Sequence, residues 1–292
     1  MKFRVHETFF IRKGWLSKGT KNVVRDSAVF MGVRGNPMDI LGIGANMVKS
    51  LRYWMQAVGL TVEPSSGRRE QTLTPLGEII HENDTYIEEM GSLWLLHYQL
   101  AKNIDDATAW YFFFNEFKLT EFTRDDFITH IRNYIRINNG EVSERSLEDD
   151  YNCIINTYVS RIKSNPEKVQ PESNIDCPFG ELGLIDITNK KNKKYKKSTP
   201  SKDTLHPLIL LAVIVDQACG EKEIRISAIQ NDIFNAGKVF NLDIITLTNI
   251  LYKIELMGYI KVNRTAGLDV VQIEREMSFE DCILEYYQAI NS

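Results

Sequence analysis

The stretch HETFFIRKGWLSKG, residues 6–19, sets His6 beside Glu7 and places Arg12, Lys13 and Lys18 around Trp15. A histidine and a carboxylate can share a proton or bind a divalent cation. An arginine or lysine close by can hold a phosphate. Cutting a phosphodiester needs these parts: an activated water, positive charge at phosphorus and, in most cases, a metal held by carboxylates. His6, Glu7, Arg12 and Lys18 are therefore the candidate catalytic residues. Mg2+ or Mn2+ is the candidate ion, with its ligands unassigned. Against this, adjacent residues point in different directions on a regular helix or strand, and a histidine–carboxylate contact is more often structural. Neither an HNH set nor a PD-(D/E)xK pattern in suitable context is present. Asp149 and Asp150 form a second acidic pair, for which a position near a helix start gives a simple dipole explanation.

A second concentration of chemistry lies in LGIGANMVKSLRYWMQAVGL, residues 41–60. At about 100° per residue, Met47, Leu51, Trp54, Met55 and Val58 share one arc of a helix, while Lys49, Arg52, Tyr53 and Gln56 share the opposite one. Upstream, Asn36 is a good N-cap, Pro37 suits the first helical position and Gly42 ends a short helix. GIGA then permits a tight reversal. Downstream, LTVEP and QTLTP read as two strands around the turn SSGRRE. Helix, turn, helix and hairpin make a winged helix, whose second helix enters the major groove of DNA. Asn46, Lys49, Arg52, Tyr53 and Gln56 are then candidate DNA contacts, with Arg68 and Arg69 at the wing tip. Asn46 and Gln56 carry the paired donor and acceptor that adenine offers. A solvated face, or a winged helix that binds protein, is the competing reading.

The 292 residues suffice for two or three domains, and 43% hydrophobic with 25% charged residues is ordinary for a globular protein. At a net charge of −4, any nucleic-acid surface must be local. Cys153, Cys177, Cys219 and Cys282 are widely spaced without CxxC. They read as reduced thiols, mostly packing groups, in a cytoplasmic protein, not as metal ligands or a disulfide framework. The start MKFRVHETFF lacks a signal-peptide core, and LHPLILLAVIVDQA is too short to span a bilayer, so no membrane role is expected.

The expected fold is mainly α (α+β), with two winged-helix modules flanking a helical, aromatic-rich middle. The modules are residues 1–85 and 205–292. The middle spans 86–165, and 166–204 is a connector. Helices begin at Thr74/Pro75, at Thr123, and at Ser143 or Ser146. DDATAWYFFFNEF reads as core, since each large ring gains roughly 1.5–3 kcal/mol on burial. NKKNKKYKKSTPSKD reads as a solvated loop or as a strip along a phosphate backbone, which adds Lys190, Lys191, Lys193 and Lys194 as candidate contacts. In the last module RISAIQNDIFNAG reads as one helix from Ser227. NLDIITLTNILYKIELMGYIKV reads as a helix capped by Asp243, with Ile244, Leu247, Leu251 and Ile254 inward, followed by a wing with Arg264 at its tip.

HETFFIRKGWLSKG, GIGANMVKSLRYW, LTPLGEII, GSLWLLHYQLA and WYFFFNEF occur in this order. Over nearly the full chain they resemble a bacterial family catalogued as a domain of unknown function, number 4007. The family looks like the SspB-type component of single-strand DNA phosphorothioation defence. That resemblance implies a DNA-binding role, nicking of DNA as the ascribed activity, and cysteine desulfurase and PAPS-reductase-like sulfur-transfer proteins as partners. A winged-helix regulator or assembly adaptor without chemistry is the alternative.

Overall fold

Capping side chains fix about half of the helix starts. In a computed structural model, which describes residues 1–159, 176–201, 203–265 and 268–291, α1 (Trp15–Arg25) and α2 (Pro37–Leu41) lead to α3 (Ala45–Ala57). Asn36 accepts from the Met38 N–H, and Gly42 ends α2 at φ 61°, a conformation that costs glycine nothing. Antiparallel β1 (Thr61–Val62) and β2 (Thr72–Leu73) follow. Thr74 then caps α4 (Pro75–Asn83), accepting from Gly77 N–H.

The middle is packed around α5 (Met90–Lys102) and α6 (Thr108–Tyr111), which runs into a π-helical turn, Phe112–Glu116. β3 (Glu121–Phe122) precedes α7 (Arg124–Ile137) and α8 (Glu144–Tyr158). Thr123 and Asp126 form a reciprocal capping box on α7, and Ser143 caps α8. The aromatic stretch is core, as expected: Trp110 to Phe114 are all at most 3% exposed. On α5, His97 sits at the centre. Its Nε2 lies 2.8 Å from the Val239 carbonyl, which can only accept, so Nε2 donates. Nδ1 therefore accepts from the Tyr158 hydroxyl, also at 2.8 Å. Burial pushes this imidazole down to about 4, because charge is costly in a dry core.

After a short 3-10 turn, Pro178–Leu182, come β4 (Ile185–Asn189) and β5 (Lys194–Lys197). These correct the lysine loop: its lysines belong to a hairpin whose β5 also pairs with β3, in the order β3-β5-β4. Lys194 pairs with Glu121, and Lys196 lies 3.8 Å from Asp186. Lys197 is drawn inside, where it donates to the Phe113 and Phe117 carbonyls at 2.6 Å. Burial lowers its amine to about 7. Residues 160–175, which hold the 165/166 boundary and most of the polar, proline-bearing stretch of the expected connector, and the tip residues Ala266 and Gly267 lie outside the described residues.

The last part holds α9 (Pro207–Ala218), β6 (Glu223–Arg225), α10 (Ile226–Asn231), α11 (Ala236–Val239), α12 (Ile244–Leu256), β7 (Ile260–Thr265), β8 (Leu268–Ile273) and α13 (Phe279–Asn291). The sheet order is β6-β8-β7, all antiparallel. The single helix expected from Ser227 is two. Phe234 takes φ 67° and donates its N–H to Asn115 Oδ1 at 2.7 Å. Gly237 then passes so close that a Cβ would stand 2.2 Å from the Gln230 carbonyl oxygen. Asp243 caps α12 through the Thr246 N–H. Leu247, Leu251 and Ile254 are inward as expected, but Ile244, in the first turn, is 53% exposed and Ile250 is buried instead. α13 returns to α5, where Gly91 N–H donates to the Tyr286 hydroxyl and Ser92 bonds Tyr287. Among the described residues no helix is long and apolar enough to cross a membrane.

Candidate functional site

The inner face of α3 holds the N-terminal segment. Trp54 Nε1 donates to the Phe9 carbonyl at 2.9 Å, and Ser50 reaches the same oxygen. Residues 4–8 form a tight turn in which Arg4, Glu7 and Thr8 all take positive φ, an uncommon conformation for residues with a Cβ. That turn separates the expected catalytic pair. Glu7 is exposed, whereas His6 is fully buried. The partner of His6 is Asp150 on α8, with Nε2 2.7 Å from Oδ1. Its ring stacks on Trp54 and meets Trp110 edge-on. Arg4 joins the same cluster, donating its backbone N–H to Asp150 and pairing its guanidinium with Asp149 at 2.8 Å. The two sequence candidates, His6 and the Asp149–Asp150 pair, are thus one constellation. The helix-start explanation for those aspartates fails, because the first turn of α8 carries only Glu144 as an acid. Burial raises the Asp150 carboxyl above its ordinary range, while the bond from His6 pulls the other way.

This cluster does not suit a magnesium or manganese ion. Such an ion takes about six ligands, mainly oxygens and including several waters. Here one carboxylate is bonded to His6 and the other faces Arg4. His6 and Asp150 are at most 1% exposed, under the rings of Trp54 and Trp110. His6 Nδ1, Asp150 Oδ2 and Trp110 Nε1 are buried without a hydrogen-bond partner. No group of three or more His, Cys, Asp or Glu side chains able to hold a metal occurs among the described residues. Arg12 and Lys18 lie elsewhere. The Arg12 guanidinium sits over the Trp15 ring, 5.3 Å from its centroid, and lines a cavity of about 240 Å3 with Lys13, Glu88 and Glu181. Lys18 Nζ donates to the Leu41 carbonyl and so ties α1 to the end of α2.

The outer face of α3 is narrower than the sequence suggests. Asn46 and Lys49 are exposed. Tyr53 is buried and donates its hydroxyl to the Asp106 carbonyl at 3.1 Å, so it cannot face a duplex. Arg52 is half-buried and grips Glu63, with Nε and Nη2 at 2.9 and 2.7 Å from the two carboxylate oxygens. Gln56 donates back to the Arg52 carbonyl and reaches Glu63 at 3.5 Å. Arg52 and Gln56 therefore clamp α3 to the residues after β1 and are not available for base reading in this conformation. Glu63 is what the helical wheel omits: it sits seven residues after Gln56, beyond the helix, in a stretch read only as strand. Arg68 and Arg69 are exposed on the β1–β2 connection. Lys190, Lys191 and Lys193 are exposed at the β4–β5 turn, while Lys194 is paired with Glu121. The candidate cations that stay exposed are thus carried by α3 and the β1–β2 connection, and by the β4–β5 turn.

Comparison with known proteins agrees with this architecture. A family model described as "Protein of unknown function (DUF4007)" matches residues 3–287. Among solved structures, a magnesium ion-bound SspB crystal structure is similar at 25% identity and TM-score 0.83, covering 100% of this chain and 89% of that one. An SspB crystal structure is similar at 26% identity, with the same TM-score and coverage. No curated protein matches the chain.

Proposed function

The chain belongs to the DUF4007 family, and on that premise we propose that it is a DNA-contacting component of a phosphorothioation-type modification or defence system. The observation that carries this reading is the pairing of exposed Asn46 and Lys49 on α3 with exposed Arg68 and Arg69 on the adjoining hairpin. In it, residues 1–85 act as a winged helix: α3 enters the major groove, and the Arg52–Glu63 clamp fixes the angle of the hairpin that meets the backbone. Lys190, Lys191 and Lys193 add a second, sequence-independent phosphate grip. Residues 205–292 act as a second winged helix, turned toward protein. The protein works in the cytoplasm beside cysteine desulfurase and PAPS-reductase-like enzymes. Duplex binding measured against salt tests the reading. Asn46→Ala/Lys49→Ala should weaken binding, and loss of the lysine's phosphate contact should flatten the slope of log K against log salt by about one unit. Equal affinity and equal slope would remove α3 from the interface.

Nicking of DNA by this component with Mg2+ or Mn2+ is one reading and binding without cleavage the other, the second favoured by the sealing of His6 and Asp150 beneath two tryptophans. Supercoiled plasmid incubated with the protein and Mg2+ or Mn2+ separates the two. An open-circle product that disappears with Glu7→Ala or with Asp150→Asn supports nicking by this chain. No product with either ion supports the binding component alone.

A further inference from the structure

α12 has two apolar sides, and its own chain uses one. Leu247, Ile250, Leu251 and Ile254 are buried against the core. On the outer side Ile245 is 71%, Tyr252 58% and Leu256 69% exposed, with exposed Asn249 between them. Ile244 and Met257, 53% and 38% exposed, lie on opposite flanks of the helix and outside this seam. Positions 245, 249, 252 and 256 are spaced four, three and four, and fall within an arc of about 60° on a helical wheel. That is the seam spacing of helices that pack side by side, and a single polar asparagine within such a seam sets its register.

We propose that α12 pairs with α12 of a second copy of this chain, antiparallel about a two-fold axis. The spacing reads the same in both directions about a point between Ile250 and Leu251, as an isologous contact requires. In that register Ile245 of each copy meets Leu256 of the other, and each Asn249 meets a Tyr252. An amide and a phenol are complementary in donors and acceptors. The seam itself is uncharged, so no like charges oppose along it. Of its flanking ions, Lys253 is held by Asp203 at 2.6 Å and Glu255 accepts from the Val262 N–H. Antiparallel helices also oppose their macrodipoles favourably. Ile245, Tyr252 and Leu256 together expose apolar area on the order of 400 Å2, close to the apolar share of a standard interface, in which each partner buries about 800 Å2. This contact goes beyond the proposed DNA role and does not depend on it.

Sedimentation equilibrium of the full chain, without DNA, tests the proposal. Wild type should have twice the chain mass. Tyr252→Glu/Leu256→Glu should have the chain mass, with unchanged far-ultraviolet circular dichroism, because both positions face solvent in the free chain. Lys49→Glu, on the outer face of α3, should stay at twice the chain mass. Cross-linking tests the register independently of any loss of folding. In a Cys219→Ser background, the Ile245→Cys/Leu256→Cys protein should form a covalent dimer under mild oxidation, while Ile245→Cys alone should not, since its two copies lie far apart along the antiparallel pair. A wild type of single chain mass, a dimer that survives the two glutamates, or equal cross-linking by the single cysteine would each overturn the proposal.

Discussion

α3 and α12 hold matching places in two helix–helix–hairpin units. Both are 13 residues long. Each is followed within two residues by a left-handed glycine, Gly59 or Gly258, and then by a strand. Each buries one apolar side against the shared core. They differ outward. α3 exposes Asn46 and Lys49 and spends Arg52 and Gln56 on Glu63, whereas α12 exposes Ile245, Tyr252 and Leu256. One scaffold can therefore present a polar, cationic surface at one end and an oily one at the other. The core face decides whether the helix forms, and the outer face decides what it meets.

The largest effects should come from the faces that the two helices share. Trp54 and Leu251 are both at most 1% exposed, so Trp54→Ala should cost about 3–5 kcal/mol and Leu251→Ala about 2–5 kcal/mol in urea unfolding. A much smaller cost at either would break the equivalence of the two inner faces. Next comes the His97 link between α5 and α11, which ties the last unit to the rest. Its imidazole is held near 4 in the fold against an ordinary 6.5, so the unfolded chain takes up the extra proton first. Its contribution is fully present above about pH 6.5 and is lost as pH falls toward 4, with a slope of at most about 1.4 kcal/mol per pH unit. Stability measured from pH 7 to 5 should fall less steeply for His97→Gln than for wild type, and parallel curves would refute this.

Two smaller changes sharpen the outward contrast. Glu63→Gln should loosen the clamp on Arg52, whose side chain is 25% exposed beside a Glu63 at 11%. The expected loss is about 1–2 kcal/mol, seen as a lower melting temperature, and an unchanged melting curve would make the clamp incidental. The smallest concerns the caps. α12 has Asp243 bonded to the Thr246 N–H at 2.7 Å, whereas α3 starts at Gly44 with no side-chain cap. A Cβ at Gly44 meets nothing within 4 Å, so Gly44→Ser should stabilise by a few tenths of a kcal/mol. A destabilised Gly44→Ser would show that the start of α3 does not accept the side-chain cap that serves α12.

The local signals were legible in the sequence. Asn36, Thr74, Thr123, Ser143 and Asp243 cap the helices expected of them, because a cap is made by residues two or three apart. The inner stripe of α3 followed from periodicity. The resemblance to the DUF4007 family is matched by the family model over residues 3–287. The candidate site was less legible. His6 bonds a residue 144 positions away, and no spacing within HETFFIRKGWLSKG announces Asp150. Tyr53 looked outward until the Asp106 carbonyl supplied an acceptor for its hydroxyl inside the protein. The lysine run read as a solvated loop or a phosphate-binding strip; Lys190, Lys191 and Lys193 are exposed, and what the run did not announce is that β3 pairs with β5 and that Lys197 turns inward.

By itself, then, the sequence determined where the side-chain-capped helices start, the main apolar stripe of α3 and most of that of α12, and where positive charge is concentrated. These are set by interactions within one or two turns of chain. Only the tertiary structure decided which polar groups stay outside. A buried hydrogen bond or ion pair draws a side chain inward only when a distant segment supplies its partner, as Asp150 does for His6 and the Phe113 and Phe117 carbonyls do for Lys197. Without that partner the cost of leaving water would keep it on the surface.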